Sequence, residues 1–442
     1  MLLEQIFIYS SVLLFATGVV YYYVKRERDA SRIVEEKIAK AKEFGLHEPV
    51  SLHPQIDLNT CIKSAACVRS CPEQDILGIL DGGGTLVNAS NCVGHGACFH
   101  GCPVEAISLV IGTEKRGAEL PHVNENYESN IQGIYIAGEL GGMGLIKNSV
   151  EQGRMAVENM VKDGLKKRRG SGYDLIIVGA GPAGISASLM AKKLGLRFLT
   201  LEQDTLGGSV LNYPRAKIVM TAPMDLPLHG KAKLYGTSKM ELLDLWYAVL
   251  SRNDIDIQEH TKVETIRPDG NGFSVTTSQG DTYYTQRVLL AIGRRGSPRK
   301  LNVPGEELGK VAYRLLEPER IAGQKVLIVG GGDSAVEAAL LLADKNEVVL
   351  SYRRDKFWRI KPQNRDRIHY AMGMDKLKVV FNSNLTKITE HEIHLQIKDG
   401  KKEVLSNDLV YIFAGGELPF QFLKRTGIQI TKRFGYTLRK YG

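Results

Sequence analysis

Apolar residues follow three patterns along this chain, and each pattern predicts a different element. Residues 5–24 carry no charged side chain, and the run IFIYSSVLLFATGVVYYYV is long enough to cross the roughly 30 Å of hydrocarbon in a bilayer as a helix. Residues 29–44 have apolar side chains at approximately helical spacing, which predicts an amphipathic helix. Beyond residue 170, apolar strand patterns alternate with helical ones, which indicates parallel sheets covered by helices.

The charges beside the first apolar run predict its orientation. Lys25, Arg26 and Arg28 follow the run, whereas Glu4 precedes it. Basic residues stay on the cytoplasmic side, so we expect a retained single-pass anchor in the inner membrane of a bacterium, with the soluble domains in the cytoplasm. A cleaved signal peptide is the alternative, but the basic region that opens such a peptide is missing.

The net charge of +9 changes this picture little. The positive charge collects in residues 25–28, beside the apolar run, and in residues 166–169, in a solvated linker. Because it does not cover the surface of a domain, we expect no nucleic-acid partner.

All six cysteines lie between residues 61 and 102, and such clustering indicates metal binding. Two runs, CIKSAACVRSCP and CVGHGACFHGCP, repeat one spacing of cysteines that ends in Cys-Pro. Residues 56–110 resemble bacterial two-cluster ferredoxins, in which the last cysteine of each run ligates the other cluster. The metal ligands that this resemblance implies are Cys61, Cys67 and Cys102 for one cluster, and Cys92, His95, Cys98 and Cys71 for the other.

The chain departs from the ferredoxin pattern where Ser64 and His95 replace cysteines. Imidazole can coordinate iron, whereas a serine hydroxyl is a poor ligand unless it is deprotonated. Each site could hold a three-iron cluster (3Fe-4S), or a four-iron cluster (4Fe-4S) with an unusual ligand or water at one iron. A ferredoxin fold without clusters, used for packing or docking, is the structural alternative.

The segment YDLIIVGAGPAGISASLMAKKLGLRFLTLEQD predicts a strand, a glycine turn, a helix and a second strand that ends in an acid. Gly179 allows the tight turn, Gly181 lets the backbone approach a pyrophosphate, and Gly184 allows close packing of helix on strand. Glu202 is placed to accept hydrogen bonds from an adenosine ribose. The expected dinucleotide contacts in and after this unit are Gly179, Gly181, Pro182, Ala183, Gly184, Glu202, Gly207, Gly208 and Gly293.

A second unit, KVLIVGGGDSAVEAALLLADKNEVVLSYRRD, repeats the pattern. Arg353 and Arg354 stand where an acid would bind a bare ribose. Together with the hydroxyl of Ser351, they favour a 2′-phosphate, and therefore NADPH over NADH. The expected contacts of this second nucleotide are Gly330, Gly332, Asp333, Ser334, Arg353 and Arg354.

The order of these units resembles the thioredoxin-reductase-like family of pyridine nucleotide–disulfide oxidoreductases, whose nicotinamide domain is inserted into an FAD domain. The resemblance covers residues 119–442. It implies an α/β fold with two Rossmann-like domains for FAD and NADPH, preceded here by an α+β ferredoxin-like domain and one transmembrane helix. Thiol reductases of that family carry a C-x-x-C motif, but no cysteine follows Cys102. The chain is therefore similar to the ferredoxin–NADP reductase branch.

One segment of the family pattern stands out of order. Relatives end with a segment of the type GIYAAGD, whose acid binds the ribityl chain of the flavin. Here NIQGIYIAGELGGMGLIKNSVEQGRMAVENMV lies at residues 130–161, before the first glycine turn, which indicates a circular permutation. The permutation predicts that the C-terminal residues 436–442 lie beside residues 119–126. The flavin contacts that it implies are Gly138, Glu139, Met143 and Gly144.

Together these patterns predict an order of segments along the chain. They are an anchor (1–24), a juxtamembrane helix (25–50), a ferredoxin-like domain (51–112), a permuted part of the FAD domain (113–168), the FAD domain (169–300), the NAD(P)H domain (301–420) and a return to the FAD domain (421–442).

The resemblance implies an FAD-dependent NAD(P)H oxidoreductase. NADPH would give hydride to flavin N5, and the flavin would exchange single electrons with two iron–sulfur clusters. The expected partners are the membrane and a ferredoxin, a quinone or a membrane electron carrier, with a homodimer as a further expectation. No acid–base or nucleophilic residue is predicted. The alternatives are a flavin-dependent oxidoreductase of a small organic substrate and a non-catalytic redox-sensing or docking flavoprotein.

Overall fold

The computed structural model describes most of the 442 residues of the chain. The described residues are 2–43, 46–49, 52–73, 75–92, 94, 96–113, 117–142, 144–167, 172–211, 213, 218–220, 223–232, 234, 236–294, 296, 298–358, 360–433 and 436–437. His95 and Met143, which the sequence predicts to bind cofactors, lie outside the described residues.

The chain divides into two compact units. The first comprises Met1–Ala118 and Arg433–Gly442, and the second comprises Glu119–Lys432. The helices are α1 (Leu2–Glu43), α2 (Ala66–Ser70), α3 (Ala97–His100), α4 (Ile146–Lys162), α5 (Pro182–Lys193), α6 (Lys239–Arg252), α7 (Asp333–Leu342), α8 (Pro362–Gly373) and α9 (Phe420–Arg425).

The strands have at most five residues in the first unit and up to nine in the second. They are β1 (His53–Ile56), β2 (Leu77–Leu80), β3 (Gly83–Leu86), β4 (Ile107–Ile111), β5 (Ala118–Pro121), β6 (Ile134–Ile136), β7 (Tyr173–Val178), β8 (Phe198–Leu201), β9 (Ile218–Met220), β10 (Met224–Leu226), β11 (Gly230–Ala232), β12 (Thr237–Ser238), β13 (Val263–Asp269), β14 (Gly272–Thr277), β15 (Thr282–Leu290), β16 (Val311–Ala312), β17 (Lys325–Val329), β18 (Glu347–Tyr352), β19 (Lys378–Phe381), β20 (Ser383–Ile388), β21 (Glu392–Ile397), β22 (Lys402–Ser406), β23 (Leu409–Ile412), β24 (Ile430–Arg433) and β25 (Tyr436–Thr437).

α1 is one unbroken helix, where the sequence predicted an anchor followed by a separate juxtamembrane helix. Residues 2–43 contain no proline and a single glycine, Gly18, so nothing in the sequence forces a break after the apolar run. The apolar side chains of residues 6–24 are exposed, and the helix is long and apolar enough to cross a membrane.

The second half of α1 packs on the rest of the first unit. Val34 lies so close over Gly78 in β2 that a methyl group at Gly78 would overlap it. Lys37 forms an ion pair with Asp75, and Ala41 is 1% exposed. The polar half of the helix is therefore fixed to this unit by apolar contact and by charge.

The first unit is built around a small antiparallel sheet. β4 is its central strand, with β1 on one side and β25 on the other, while β2 and β3 form a separate hairpin. α2 and α3 each contain the middle cysteine of one cysteine run, which is Cys67 in the first run and Cys98 in the second. Both of these cysteines are buried.

The first sheet of the second unit brings together segments that are distant in sequence. Its strands follow the order β13-β14-β15-β7-β8, and β6 pairs in parallel with residues 288–290 of β15. The segment at residues 130–161 therefore joins the sheet that carries the first glycine turn, as the circular permutation predicted. α4, which belongs to this segment, packs against α5.

The C-terminal residues depart from the prediction. β25 pairs with Val110 and Ile111 in β4, and not with residues 119–126. The strand that pairs with β5 is β24, which lies a few residues earlier in the chain. A strand of two residues has too little hydrophobic pattern to specify its partner in advance. Residues 438–442 lie outside the described residues.

The second sheet of this unit is parallel, with the strand order β16-β23-β17-β18-β19. Its strands are nearly all apolar because α7 and α8 cover it and bury side chains of both the sheet and the helices. An antiparallel sheet of β20, β21 and β22 packs its own apolar residues against β17 and β23. The order β17-α7-β18 is the predicted second nucleotide-binding unit.

Gly153→Ala should destabilise the protein, although alanine favours a helix over glycine by about 1 kcal/mol. Gly153 lies in α4, and a methyl group there would overlap the carbonyl oxygen of Ala183 in α5. Overpacking of this kind costs about 1–3 kcal/mol, which urea unfolding monitored by circular dichroism would measure.

Gly373→Ala is the matched control, because Gly373 lies in the last turn of α8 with open space beside it. That variant should be as stable as the wild type or slightly more stable. Equal stability of the two variants would contradict the close approach of α4 and α5.

Candidate nucleotide and iron–sulfur sites

The first glycine turn connects β7 to α5 and has no room for side chains. Gly179 has a φ of 104°, which glycine adopts readily, and a methyl group there would overlap the backbone at Ala291. At Gly184 a methyl group would overlap the carbonyl oxygen of Gly179. Gly181 is the N-cap of α5, so the free amide groups of this helix begin at the turn.

This turn forms one wall of a cavity of about 450 Å³ within the second unit. The glycine turn after β7 and the segment that contains Gly138 and Gly144 both contribute to it. Of the residues predicted to bind the dinucleotide, the cavity is lined by Gly138, Glu139, Gly144, Gly179, Gly181, Pro182, Ala183, Glu202, Gly208 and Gly293. Gly184 and Gly207 are not among its lining residues. Gly184 packs on Gly179, and Gly207, with a φ of 105°, lies against Leu243.

Glu202 hydrogen-bonds to the backbone of the glycine turn. It is 6% exposed, and its carboxylate accepts hydrogen bonds from Ala180 N at 2.6 Å and from Asp204 N at 3.0 Å. Burial raises the pKa of Glu202, while the two backbone donors oppose that rise. Glu202 therefore fixes the backbone of the turn and also lines the cavity, where the sequence placed it to bind a ribose.

The segment predicted to be permuted supplies the opposite wall. Gly138 has a φ of 86°, and its N–H donates to Gln152 Oε1 at 2.8 Å. Gln152 is buried in α4, so this one bond ties the loop before Glu139 to the helix that follows it. The cap residue of α4, Leu145, lines the cavity, so this helix begins at the cavity wall. The positive end of the helix dipole there favours an anionic ligand.

Lys239 makes a buried contact beside the cavity that the sequence did not predict. This lysine is 6% exposed, and its ammonium group donates to the carbonyl oxygens of Leu211 and Tyr213, at 2.8 Å each. It holds a segment whose residues Gly208 and Tyr213 line the cavity. Nothing in the local sequence indicates this role, since a lysine at the start of a helix is normally exposed.

Further missed residues come from the C-terminal part of the chain and from the linker to the second nucleotide fold. Arg314 pairs with Asp204 at 2.8 Å, and both residues line the cavity. α9 and the residues before it form another part of the lining. These residues are Glu417, Leu418, Pro419, Gln421, Phe422 and Arg425. They follow no nucleotide-binding motif, so their position in the fold alone could identify them.

The second glycine turn lies between β17 and α7. Gly332 caps α7 and leaves open space, whereas at Gly331 a methyl group would overlap the ring of Tyr352. Asp333 Oδ1 accepts hydrogen bonds from Lys361 N at 2.8 Å and from Asn364 Nδ2 at 2.7 Å, so this carboxylate fastens α8 to α7.

The residues at the end of β18 lie in different environments. Arg353 and Arg354 are exposed at the end of the strand, and within the described part of the chain neither guanidinium has an ion-pair partner. Ser351 is instead buried and shares a hydrogen bond of 2.7 Å with Ser383. The prediction that its hydroxyl binds a 2′-phosphate was therefore wrong, because both faces of a parallel strand are covered.

In the first unit, three of the cysteines are brought together as predicted. Cys61, Cys67 and Cys102 line one cavity together with Ser64. Cys71, Cys92 and Cys98 lie near one another, and Cys67 is also near enough to Cys71 and Cys98 to act on them. Burial raises the pKa of the buried Cys67 thiol and raises that of Cys98 to about 12.

The surroundings of these thiols are suited to the binding of iron. Thiolate is the form that binds iron, so at the buried Cys67 and Cys98 the binding of iron and sulfide has to displace protons. Ile56 and Ile107 are among the apolar walls of the first group's cavity, and such walls limit the access of water to a cluster. Among the described residues, no three His, Cys, Asp or Glu side chains are placed to hold a single metal ion.

Comparison with known proteins agrees with this division. Residues 176–439 match the family model of the pyridine nucleotide-disulphide oxidoreductases, and residues 53–103 match that of a 4Fe-4S dicluster domain. The first match covers more than half of the chain and begins after the segment at residues 130–161. Although the family is named for disulphides, residues 103–442 contain no cysteine.

Curated relatives and a solved structure match the same region. The chain is 28% identical over 268 residues to bacilliredoxin reductase Bdr of Bacillus subtilis, covering 59% of this chain and 82% of the relative. It is 29% identical over 264 residues to a ferredoxin–NADP reductase of Ignicoccus hospitalis, covering 58% and 82% respectively. The structure of bacillithiol disulfide reductase Bdr (YpdA) from Staphylococcus aureus is similar with a TM-score of 0.50, at 28% identity, over 62% of this chain and 85% of that chain.

The family and domain matches support the predicted cofactors FAD, NADPH and iron–sulfur clusters. FAD fits the cavity because the glycine turn, the start of α4 and the acid Glu202 all line it. The chain therefore belongs to the pyridine nucleotide-disulphide oxidoreductase family, and it is an FAD-dependent NAD(P)H oxidoreductase with an iron–sulfur domain N-terminal to its nucleotide-binding unit.

Proposed function

We propose that this enzyme transfers electrons from NADPH, through FAD and its own iron–sulfur clusters, to an electron carrier held in the inner membrane of a bacterium. The observation that supports a membrane carrier is the continuity of α1, whose apolar half is exposed and whose polar half packs on the iron–sulfur unit. The domains that follow the apolar run of α1 would lie in the cytoplasm, because basic residues come directly after this run.

The length of α1 limits how far the iron–sulfur unit would stand from a bilayer. At 1.5 Å per residue, the apolar residues 6–24 span about 28 Å, which matches the hydrocarbon thickness. Val34, which lies against Gly78 in β2, follows Val24 by about 15 Å along the helix axis. A helix without a break would thus hold the clusters near the membrane surface, where a lipid-soluble quinone or a membrane cytochrome can accept electrons.

The protein contributes placement and electrostatics to this reaction. Bound FAD supplies the chemistry that connects a two-electron hydride donor to one-electron clusters. Gly181 and Ala183, at the start of α5, would bring backbone amides to the pyrophosphate, and Glu202 would accept the ribose hydroxyls. Glu139 and the amides at the start of α4 would meet the flavin end.

The second nucleotide fold would hold NADPH in the same manner. The N-terminus of α7, capped by Gly332, has open space for a pyrophosphate. Arg353 and Arg354, exposed and without an ion-pair partner among the described residues, would bind the 2′-phosphate. NADPH is therefore proposed as the electron donor in preference to NADH.

Removal of residues 2–24 should separate the membrane function from the flavin chemistry. Because residues 5–24, the part of this segment whose side chains the structure describes, are exposed, the truncated enzyme should keep its FAD and reduce ferricyanide with NADPH at an unchanged rate. Reduction of a long-chain quinone in vesicles should fall at least tenfold. Equal quinone reduction by both forms, or a faster transfer to added ferredoxin by the full chain, would contradict a membrane carrier.

Arg353→Ala combined with Arg354→Ala should weaken NADPH binding by about 2–4 kcal/mol, because hydrogen bonds to a charged phosphate are lost. Stopped-flow reduction of the flavin should show a higher KM for NADPH and an unchanged KM for NADH. Lys356→Ala is a suitable control, since Lys356 is exposed nearby but lies over the ring of Trp358. An unchanged preference between the two nucleotides in the double variant would refute the assignment.

Glu202→Gln should weaken FAD binding by about 1–3 kcal/mol, because an amide can accept only one of the two backbone N–H bonds. Burial raises the pKa of Glu202, so acidification should protonate it at a higher pH than an exposed glutamate and should weaken FAD binding in the wild type but not in the variant. Fluorescence titration with FAD measures both effects.

Glu128→Gln provides the control for this titration. Glu128 also accepts a backbone N–H, from Gly133 at 2.7 Å, but it does not line the cavity. Its substitution should leave FAD affinity unchanged within about twofold. Equal losses in the two variants would mean that Glu202 acts through general stability and not at the FAD site.

A further inference from the structure

The contacts of α1 show which end of the first unit lies toward its apolar half. Val34 lies over Gly78 in β2, and Lys37, which is further from the apolar residues 6–24, pairs with Asp75, just before β2. As α1 runs away from its apolar half, its partners therefore run backward along the chain. β2 is antiparallel to α1, and the turn between β2 and β3 is the part of this hairpin that lies toward the apolar half.

This turn comes close to the level at which the apolar run ends. Val34 follows Val24 by about 15 Å along the helix axis. Gly82, in the turn, is four residues beyond Gly78, which corresponds to about 13 Å along a strand that is parallel to the helix axis and to about 9 Å along one inclined at about 45°. A bilayer around residues 6–24 would thus have the turn within its headgroup layer, which is roughly 5–7 Å thick.

Two exposed apolar side chains lie beside this turn. Leu58 is 65% exposed and Ile62 is 59% exposed. Outside α1, they are the exposed large apolar residues among the residues of the first unit that the structure describes. Leu58 lies against Gly83, and Lys63, the neighbour of Ile62, lies over Gly82. Exposed apolar side chains that are grouped in this way indicate a surface that contacts a partner.

The charges beside these side chains favour lipid over a charged protein as the partner. Lys63 is exposed, and so are Asp57 and Asp81. Because both signs are present, this surface has no excess of charge that would attract an acidic or a basic protein. Its apolar side chains can instead enter the edge of the hydrocarbon, while the long side chain of Lys63 reaches the headgroup phosphates.

We propose that Leu58, Ile62 and Lys63 form a second membrane contact, in which Leu58 and Ile62 enter the interfacial layer of the bilayer that α1 crosses. This inference rests on the proposed function in requiring that α1 is a membrane anchor. The contact determines which face of the iron–sulfur unit lies against the lipid. Cys61, the neighbour of Ile62, is on that face, so one group of cysteines is brought to the side from which a lipid-soluble electron carrier arrives.

The test introduces one tryptophan at a time into the full chain, reconstituted in phosphatidylcholine vesicles whose acyl chains carry bromine near the headgroup end. Bromine quenches tryptophan on contact, so comparison with the same lipid without bromine measures insertion. Leu58→Trp and Ile62→Trp should each lose at least about half of the fluorescence that the new tryptophan adds. The chain's own Trp246 and Trp358 belong to the second unit, and the unsubstituted protein gives their contribution.

Two positions on α1 calibrate this measurement. Tyr22→Trp lies in the apolar run and should be quenched at least as strongly as the two variants at the turn. Lys42→Trp should keep its fluorescence, because Lys42 is exposed and lies about 27 Å beyond Val24 along the helix axis.

A charge at the turn provides a second measurement. Leu58→Glu in the Ile62→Trp protein should reduce the quenching at least about twofold, because a carboxylate is unfavourable in hydrocarbon. Ile33→Glu in the same protein is the matched control, since Ile33 is 53% exposed but lies on α1, away from the turn. It should leave the quenching unchanged. Circular dichroism reports whether each variant is folded.

The outcomes distinguish this inference from the proposed function. Quenching of Tyr22→Trp without quenching of Leu58→Trp and Ile62→Trp would overturn the second contact and leave the anchor intact. Quenching of Lys42→Trp as strong as that at the turn would also overturn it, because the lipid would then touch the unit without preference. If one variant at the turn does not fold, the other decides. Absence of quenching in Tyr22→Trp would overturn both the anchor and the second contact.

Discussion

The nucleotide-binding unit depends on how closely three backbone segments approach one another around the first glycine turn. The turn at Gly179 touches the backbone after β15, α5 begins against the turn at Gly184, and α4 meets the carbonyl of Ala183 at Gly153. Because none of these glycines has room for a methyl group, the start of α5 is held at one position. The ends of α4 and α5 can therefore both present their amide groups to one cavity.

The parts of this site that follow from local rules could be predicted from the sequence. Gly179 could be predicted because the tight turn requires a backbone conformation that glycine adopts readily. Glu202 could be predicted because an acid is expected at the end of β8. Glu139 could be predicted although its segment is displaced in the chain, because the segment keeps its own pattern of strand, glycine and helix. The structure brings all three residues to the lining of the same cavity.

The remaining residues of the site depend on contacts that no local pattern encodes. Lys239 acts through carbonyl groups 26 and 28 residues away, and Arg314 reaches Asp204 across 110 residues. Ser351 was expected to contact a 2′-phosphate, because parallel strands lack the alternation that would show that its side chain is buried. A break in α1 was predicted where apolar residues give way to charged residues. Residues such as proline and glycine interrupt a helix, whereas a change of polarity alone does not.

The displaced position of β6 also affects the order in which the protein can fold during its synthesis. β6 and α4 leave the ribosome before any strand of the sheet that they join, and the partner of β6 in β15 follows about 150 residues later. At 5–20 residues per second, this interval lasts roughly 8–30 seconds. During that time β6 has no strand to pair with. A nascent chain of this protein therefore needs protection from aggregation for longer than a relative in which the same strand is made last.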